Sequence, residues 1–218
     1  MNRQQLLQEL VSRILQLKRQ HPIRVALDGV DAAGKTTLAD ELVEPLRALG
    51  RPVIRGSIDG FHNSSIVRYQ KGSLSPEGYY HDSFNYPLLR EALLAPLGPN
   101  GNRNYRSAVF DVLTDSPVET SVRVADDNAV LLFDGVFLLR CELRSCWDFS
   151  IFVEADFSQT LARAQLRDVE RFGSMLEVTK RYQQRYIPGQ QLYLAESKPR
   201  EIASVVIDNN EPGNPLIL

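Results

Sequence analysis

Apolar residues at the start of the chain recur at helical spacing. Leu6, Leu10, Ile14 and Leu17 would share one face of an amphipathic helix within residues 1–20, and His21-Pro22 would stop it. The pattern then shifts to short buried runs. Residues 23–27 predict a strand ending in Asp28-Gly29, and residues 53–58 a second ending in Asp59-Gly60. Residues 129–133 predict a third ending in Asp134-Gly135, residues 149–153 a fourth, and residues 204–207 a last strand before Asp208-Asn209. Between them, Leu38, Leu42, Leu46 and Leu49 mark a helix that Pro45 would kink and Gly50 would end. Residues 84–94, 158–171 and 176–194 also read as helices.

Two stretches break this alternation. Residues 61–83 are polar and rich in Gly, Ser and Tyr, which predicts a functional loop. Residues 105–110 and 118–124 predict a small β excursion around Asp115-Ser116-Pro117. Continuous apolar strands alternating with helices predict an α/β fold with a parallel sheet covered on both faces. Ligands of such sheets bind beyond the carboxyl ends of the strands, where this chain lines up several carboxylates.

The chain has 218 residues, enough for one sizeable domain, so residues 1–218 are read as a single domain. A net charge of −2 gives no reason to expect nucleic acid or an anionic membrane as partner. No apolar run approaches the ~20 residues that span a bilayer, and the polar N-terminus does not read as a secretory signal. Cys141 and Cys146 are expected as free, partly buried thiols in a reducing cytoplasm.

Gly29-Val30-Asp31-Ala32-Ala33-Gly34-Lys35-Thr36 fits G-x-x-x-x-G-K-[ST] between an expected strand and an expected helix. Its glycines let successive N–H groups turn inward onto phosphate oxygens. Lys35 would reach the β- and γ-phosphates, and the Thr36 hydroxyl would ligate Mg²⁺. Gly29, Asp31 to Gly34, Lys35, Thr36 and Thr37 are therefore the expected nucleotide-binding set. No Asn-Lys pair occurs, so the base-reading segment of a guanine-nucleotide switch is missing, and so is the Gly-Gly-Gln of transporter ATPases.

A small-molecule kinase also needs a base near the acceptor hydroxyl and mobile positive charge over the transferring phosphoryl. Asp59 is the candidate base and Asp134 the candidate acid on the Mg²⁺ side; each also suits an ordinary Asp-Gly turn. Arg163, Arg167 and Arg171 are spaced to share a helix face. That face would be either a catalytic lid or a solvated surface paired with Asp168 and Glu170.

These residues together resemble the uridine kinase-like branch of the phosphoribulokinase/uridine kinase family, over residues 23–215. The resemblance rests on Gly29 to Thr37, Asp59-Gly60-Phe61-His62, Phe133-Asp134-Gly135 and Arg163 with Leu166-Arg167-Asp168. It also rests on Tyr182 to Pro188 and on Val206-Ile207-Asp208-Asn209. It implies a three-layer α/β/α P-loop NTPase fold with a five-stranded parallel core, and a lid with its following helix over residues 158–194. It further implies ATP and Mg²⁺, with Asp59 as base and with Arg163 and Arg167 as lid residues.

The acceptor pocket is expected from residues 61–83, Tyr105, Arg185 and Tyr186. These bring His62, Arg68, Tyr69, Tyr79 and Tyr80 together. Tyr105 matches the family's aromatic, but Arg106 stands where the family carries an acid, so an acceptor bearing an anionic group is expected to serve at least as well as uridine. The acceptor class is a nucleoside or another ribose-like sugar. The alternatives are another small alcohol, such as pantothenate, glycerate or a sugar phosphate, or a nucleotide-binding sensor without transfer activity. A homo-oligomer is compatible with the sequence.

Overall fold

In the strands, alternate side chains are apolar on both faces. A computed structural model describes residues 1–218 and shows why. Five parallel strands form the sheet: β1 (Ile23–Gly29), β2 (Val53–Ser57), β3 (Val130–Asp134), β4 (Phe149–Glu154) and β5 (Val205–Asp208). An unforeseen sixth, β6 (Leu216–Ile217), adds antiparallel to β5, giving the order β6-β5-β4-β1-β3-β2. The P-loop strand β1 thus lies between β4 and β3. Leu27 and Ser57 both pair in register with Asp134, which places that carboxylate at the sheet's carboxyl edge.

Val25 and Leu27 of β1, with Val130 and Leu132 of β3, pack under helix α1 (Arg3–Gln16) and the pair α2 (Lys35–Glu41) and α3 (Val43–Ala48). Ala26, Leu131 and Phe133 point the other way, into a core shared with Tyr80, Leu89, Leu93 and Tyr193. Two apolar faces on one sheet make the three-layer fold. A third, small cluster of Ala164, Val178 and Tyr182 sits within the helical lid.

Several helices differ from expectation for local reasons. The helix expected through residues 38–49 divides at Leu42; Pro45 has no N–H to donate one turn back. The run 61–83 is not a loop throughout. It holds α4 (Ser65–Arg68) and α5 (Pro76–Asp82). Ser75 caps α5, accepting from the Gly78 N–H at 3.0 Å, with Pro76 in the first turn. The run 84–94 is a short helix, α6 (Tyr86–Leu89), that widens into a π turn over Arg90–Leu94.

The segment expected to form the lid holds α7 (Phe157–Arg167), α8 (Val169–Phe172) and α9 (Met175–Arg181), followed by a π turn at Tyr182–Tyr186 and α10 (Ile187–Ser197). α7 ends before Asp168, so Arg171 leaves the helix that carries Arg163 and Arg167. The β excursion is smaller than expected. Asn104–Tyr105 pairs with Arg123–Val124, and Phe110–Asp111 with Ser116–Pro117. Both cysteines are free, but Cys141 is exposed rather than partly buried. No helix is long and apolar enough to cross a membrane.

Candidate functional site

A cleft of about 700 Å³ opens over the carboxyl ends of the strands. The turn from β1 into α2 forms part of its wall. Gly29 has φ +150°, and a Cβ there would stand 2.2 Å from the Val153 carbonyl oxygen. Gly34 has φ +97°, and a Cβ would meet the Asn209 side chain at 2.6 Å. Only glycine lets the backbone curl this tightly. Asn209 at the end of β5 donates to the Ala33 carbonyl at 2.7 Å, and Gln190 accepts the Asp31 N–H at 2.6 Å. The turn is thereby fixed from two sides. Asp31, Ala32, Gly34, Lys35, Thr36 and Thr37 line the cleft, while Gly29 and Ala33 lie behind it.

Lys35 is buried and its Nζ donates to the Val30 carbonyl at 2.7 Å. Burial pulls its pKa below the ordinary lysine value, against the nearby Asp31, Asp28 and Asp134. Thr36 donates its hydroxyl to Asp134 Oδ2 at 2.7 Å. The other oxygen, Oδ1, accepts from Arg55 Nη2 at 2.9 Å. A hydroxyl and a carboxylate on one edge are the hard oxygen donors a Mg²⁺ ion takes alongside water and phosphate. There is no cluster of three or more His, Cys, Asp or Glu, so a protein-only metal cage is absent.

Asp59 lies two residues beyond β2 in a short 3₁₀ turn, Ile58–Phe61. Its carboxylate is open to the cleft, yet the surrounding walls desolvate it and raise its pKa. His62 opposes that shift, while Asp31 and Asp134 add to it. The His62 ring holds the Asp59 carbonyl through Nδ1 at 2.9 Å, so the two residues are locked to one turn.

The lid arginines have specific partners. Arg163 Nη2 donates to the carbonyls of Asn209 and Asn210 at 2.9 and 2.8 Å and ties the lid to the end of β5. Arg167 donates to Asp168 at 2.7 Å through Nε and to Asp31 at 3.2 Å through Nη2. Tyr182 donates a short hydrogen bond to the same Asp31. Burial alone would raise the Asp31 pKa, but Arg167, Lys35 and Tyr182 outweigh it and hold the carboxyl below its usual range. Arg167 thus lines the cleft and also pairs with Asp168. Arg163, Arg167 and Arg171 all reach the cleft although α7 ends between the last two.

Of the residues expected to form the acceptor pocket, His62, Arg68, Tyr69, Tyr79, Arg185 and Tyr186 line the cleft. Tyr105 does not. It is buried in the core, on the strand pair with Arg123, and the neighbouring Arg106 is also outside the lining. Tyr80 is fully buried against Phe137 and Arg140. Tyr80 went inward because α5 is a packed helix, which a loop reading of residues 61–83 could not convey, and Tyr105 because its strand pair lies against the same core.

Sequence reasoning passed over three partners. Arg55 is a lone cation in the apolar strand β2, and that was its available signal. Tyr193 donates a short hydrogen bond to the buried Asp28, whose pKa burial raises. Tyr182 entered only through the family resemblance, with no role attached.

No protein-family model matches the chain. It is 26% identical over 190 residues to uridine-cytidine kinase B of Dictyostelium discoideum, covering 86% of this chain and 74% of that protein. It is 25% identical to a uridine kinase of Ureaplasma urealyticum, covering 85% and 88%. Among solved structures, a possible uridine kinase from Bacillus stearothermophilus superposes with a TM-score of 0.73 at 24% identity over 93% and 97% of the two chains. D-glycerate 3-kinase from Cryptococcus neoformans does so at 0.60 and 12% identity over 99% and 98%. Fold and relatives together define an ATP-dependent P-loop kinase, a phosphotransferase for a hydroxyl on a small molecule. Within that class the chain is uridine kinase-like.

Proposed function

We propose that residues 1–218 act as one kinase domain that moves the γ-phosphate of ATP, with Mg²⁺, onto an alcohol seated between residues 62–79 and 171–186. The observation that carries this is the convergence of Lys35, Thr36, Asp134 and Asp59 on one cleft. The phosphate side and the acceptor side then share a wall at the carboxyl edge of the sheet.

The acceptor oxygen forms a bond to the γ-phosphorus as the bond to the β,γ-bridging oxygen breaks. ADP leaves with that electron pair, and the hydroxyl proton passes to Asp59. The raised pKa makes Asp59 a stronger base than an ordinary aspartate. Lys35 neutralises charge on the phosphates, and Arg167 adds positive charge where it grows in the transition state. Thr36 and Asp134 would hold the magnesium ion, which supplies charge neutralisation of the triphosphate. Tyr69, Tyr79 and Tyr186 offer faces for a flat ring or a sugar.

An ADP-release screen across nucleosides, sugars and small hydroxy acids tests the reading, with Lys35→Ala as control. Acceptor-dependent ADP release that Lys35→Ala abolishes supports it. Tight ATP binding with no acceptor-dependent release from any of these classes sinks it in favour of a nucleotide sensor.

A further inference from the structure

The acceptor wall carries more positive charge than its own carboxylates balance. Arg185 is 3% exposed, and its donors all go to main-chain carbonyls, with Ser75 O nearest at 3.0 Å and Arg68 O at 3.3 Å. It stacks over the rings of Tyr69 and Tyr79 and has no carboxylate partner. Burial pulls its pKa down, the mark of a guanidinium without a counter-ion. Arg171, exposed on the lid, has none either and lies over the Phe172 ring.

Arg68 is 7% exposed and lines the same cleft. Its Nη2 meets Asp115 Oδ1 at 2.9 Å, while Nε and Nη1 are buried with no acceptor at all. Asp115 is already shared, since its two oxygens accept the Ser65 N–H at 2.9 and 3.1 Å. Of these three arginines only Arg68 has a carboxylate partner, and that carboxylate is already committed. Burial first, then Arg68 and Arg171, depress the His62 pKa, so both cations are felt at the residue next to the candidate base turn.

A buried cation without a partner costs folding free energy, and buried donors are ordinarily satisfied. A ligand that brings an oxyanion into the cleft supplies the missing counter-charge, and guanidinium groups match carboxylate and phosphate oxygens. The triphosphate has its own cations in Lys35, Arg163 and Arg167, whereas Arg68 lines the cleft beside Tyr69. The cation expected from Arg106 is supplied here instead.

We infer that the acceptor is an anionic alcohol, whose carboxylate or phosphate monoester is received by Arg68 within the field of Arg171 and Arg185. This rests on the kinase reading above and narrows its substrate class.

Calorimetric titration of the protein saturated with ADP and Mg²⁺ tests it without turnover. The probes are D-glycerate against glycerol for a carboxylate, and ribose 5-phosphate against ribose for a phosphate. At least one anion should bind tenfold or more tighter than its neutral partner. Arg68→Met should erase that preference with ADP affinity unchanged, and Arg68→Lys should restore part of it. Equal binding of anions and neutral partners overturns the inference, as does a preference that survives Arg68→Met. If Arg68→Met does not fold, Asp115→Asn carries the test: anion affinity kept or raised upholds the subsite, and its loss in a folded protein overturns it. Transfer to neutral alcohols alone would leave the kinase reading standing and defeat this one. Arg68-dependent anion binding with no transfer to any alcohol would do the reverse.

Discussion

Thr36 donates its hydroxyl to Asp134 at 2.7 Å, joining the first turn of α2 to the end of β3 across 98 positions of sequence. Arg55 holds the carboxylate from its other side at 2.9 Å. If this pair holds magnesium, Asp134→Asn should lower turnover by about 10- to 100-fold and raise the Mg²⁺ concentration that gives half-maximal rate. A magnesium titration of the rate checks this, and an unchanged midpoint would assign Asp134 to structure alone.

Lys35→Ala should weaken ATP binding and reduce turnover by at least ~100-fold, the scale of losing one preorganised charge. Turnover within threefold of the parent would remove Lys35 from the phosphate site.

Asp59→Asn keeps shape and removes the basic oxygen, so ATP affinity should hold while transfer falls ~100- to 10,000-fold. The pH profile carries a second readout. A base works only when deprotonated, and burial raises this carboxyl's pKa. The parent's kcat/KM should therefore fall on the acid side, through a pKa above the ordinary aspartate value. Asp59→Asn should flatten that limb. A limb that persists unchanged in the variant would belong to another group.

Arg167→Ala should lower kcat more than it weakens ATP binding, because full engagement with the phosphoryl belongs to the closed state. Tyr182→Phe removes one neutral donor from Asp31 and should cost only about tenfold or less. Equal losses in kcat and ATP affinity for Arg167→Ala would mark an ordinary ground-state contact.

Phe137 is fully buried and touches Tyr79, Tyr80, Phe84 and Tyr193 edge to face. Phe137→Ala should cost about 3–5 kcal/mol of stability. Because Tyr79 lines the cleft, acceptor KM should rise in whatever fraction stays folded. Chemical denaturation and steady-state kinetics measure the two effects separately.

The strands and the phosphate turn were legible from local order. Five apolar runs lie within two residues of where they form, because strands packed between two layers of helices are mostly apolar along their length. The P-loop could be read because its glycines, Lys35 and Thr36 act within one turn of chain. Segment 61–83 read poorly because its polar composition hides two short helices, and only the Ser75-Pro76 cap signals the second.

The sequence by itself determined the α/β class, the phosphate cradle and the carboxylates at the strand ends, since each follows from contacts a few residues apart or from continuous apolar runs. Tertiary structure alone decided which of the expected acceptor residues line the cleft. It sent Tyr105 and Tyr80 into the core and gave Asp134 to Arg55. It also left Arg68 and Arg185 buried without adequate counter-charge. Charge balance and burial depend on which distant segments meet, and that distance is not written in the spacing of residues along the chain.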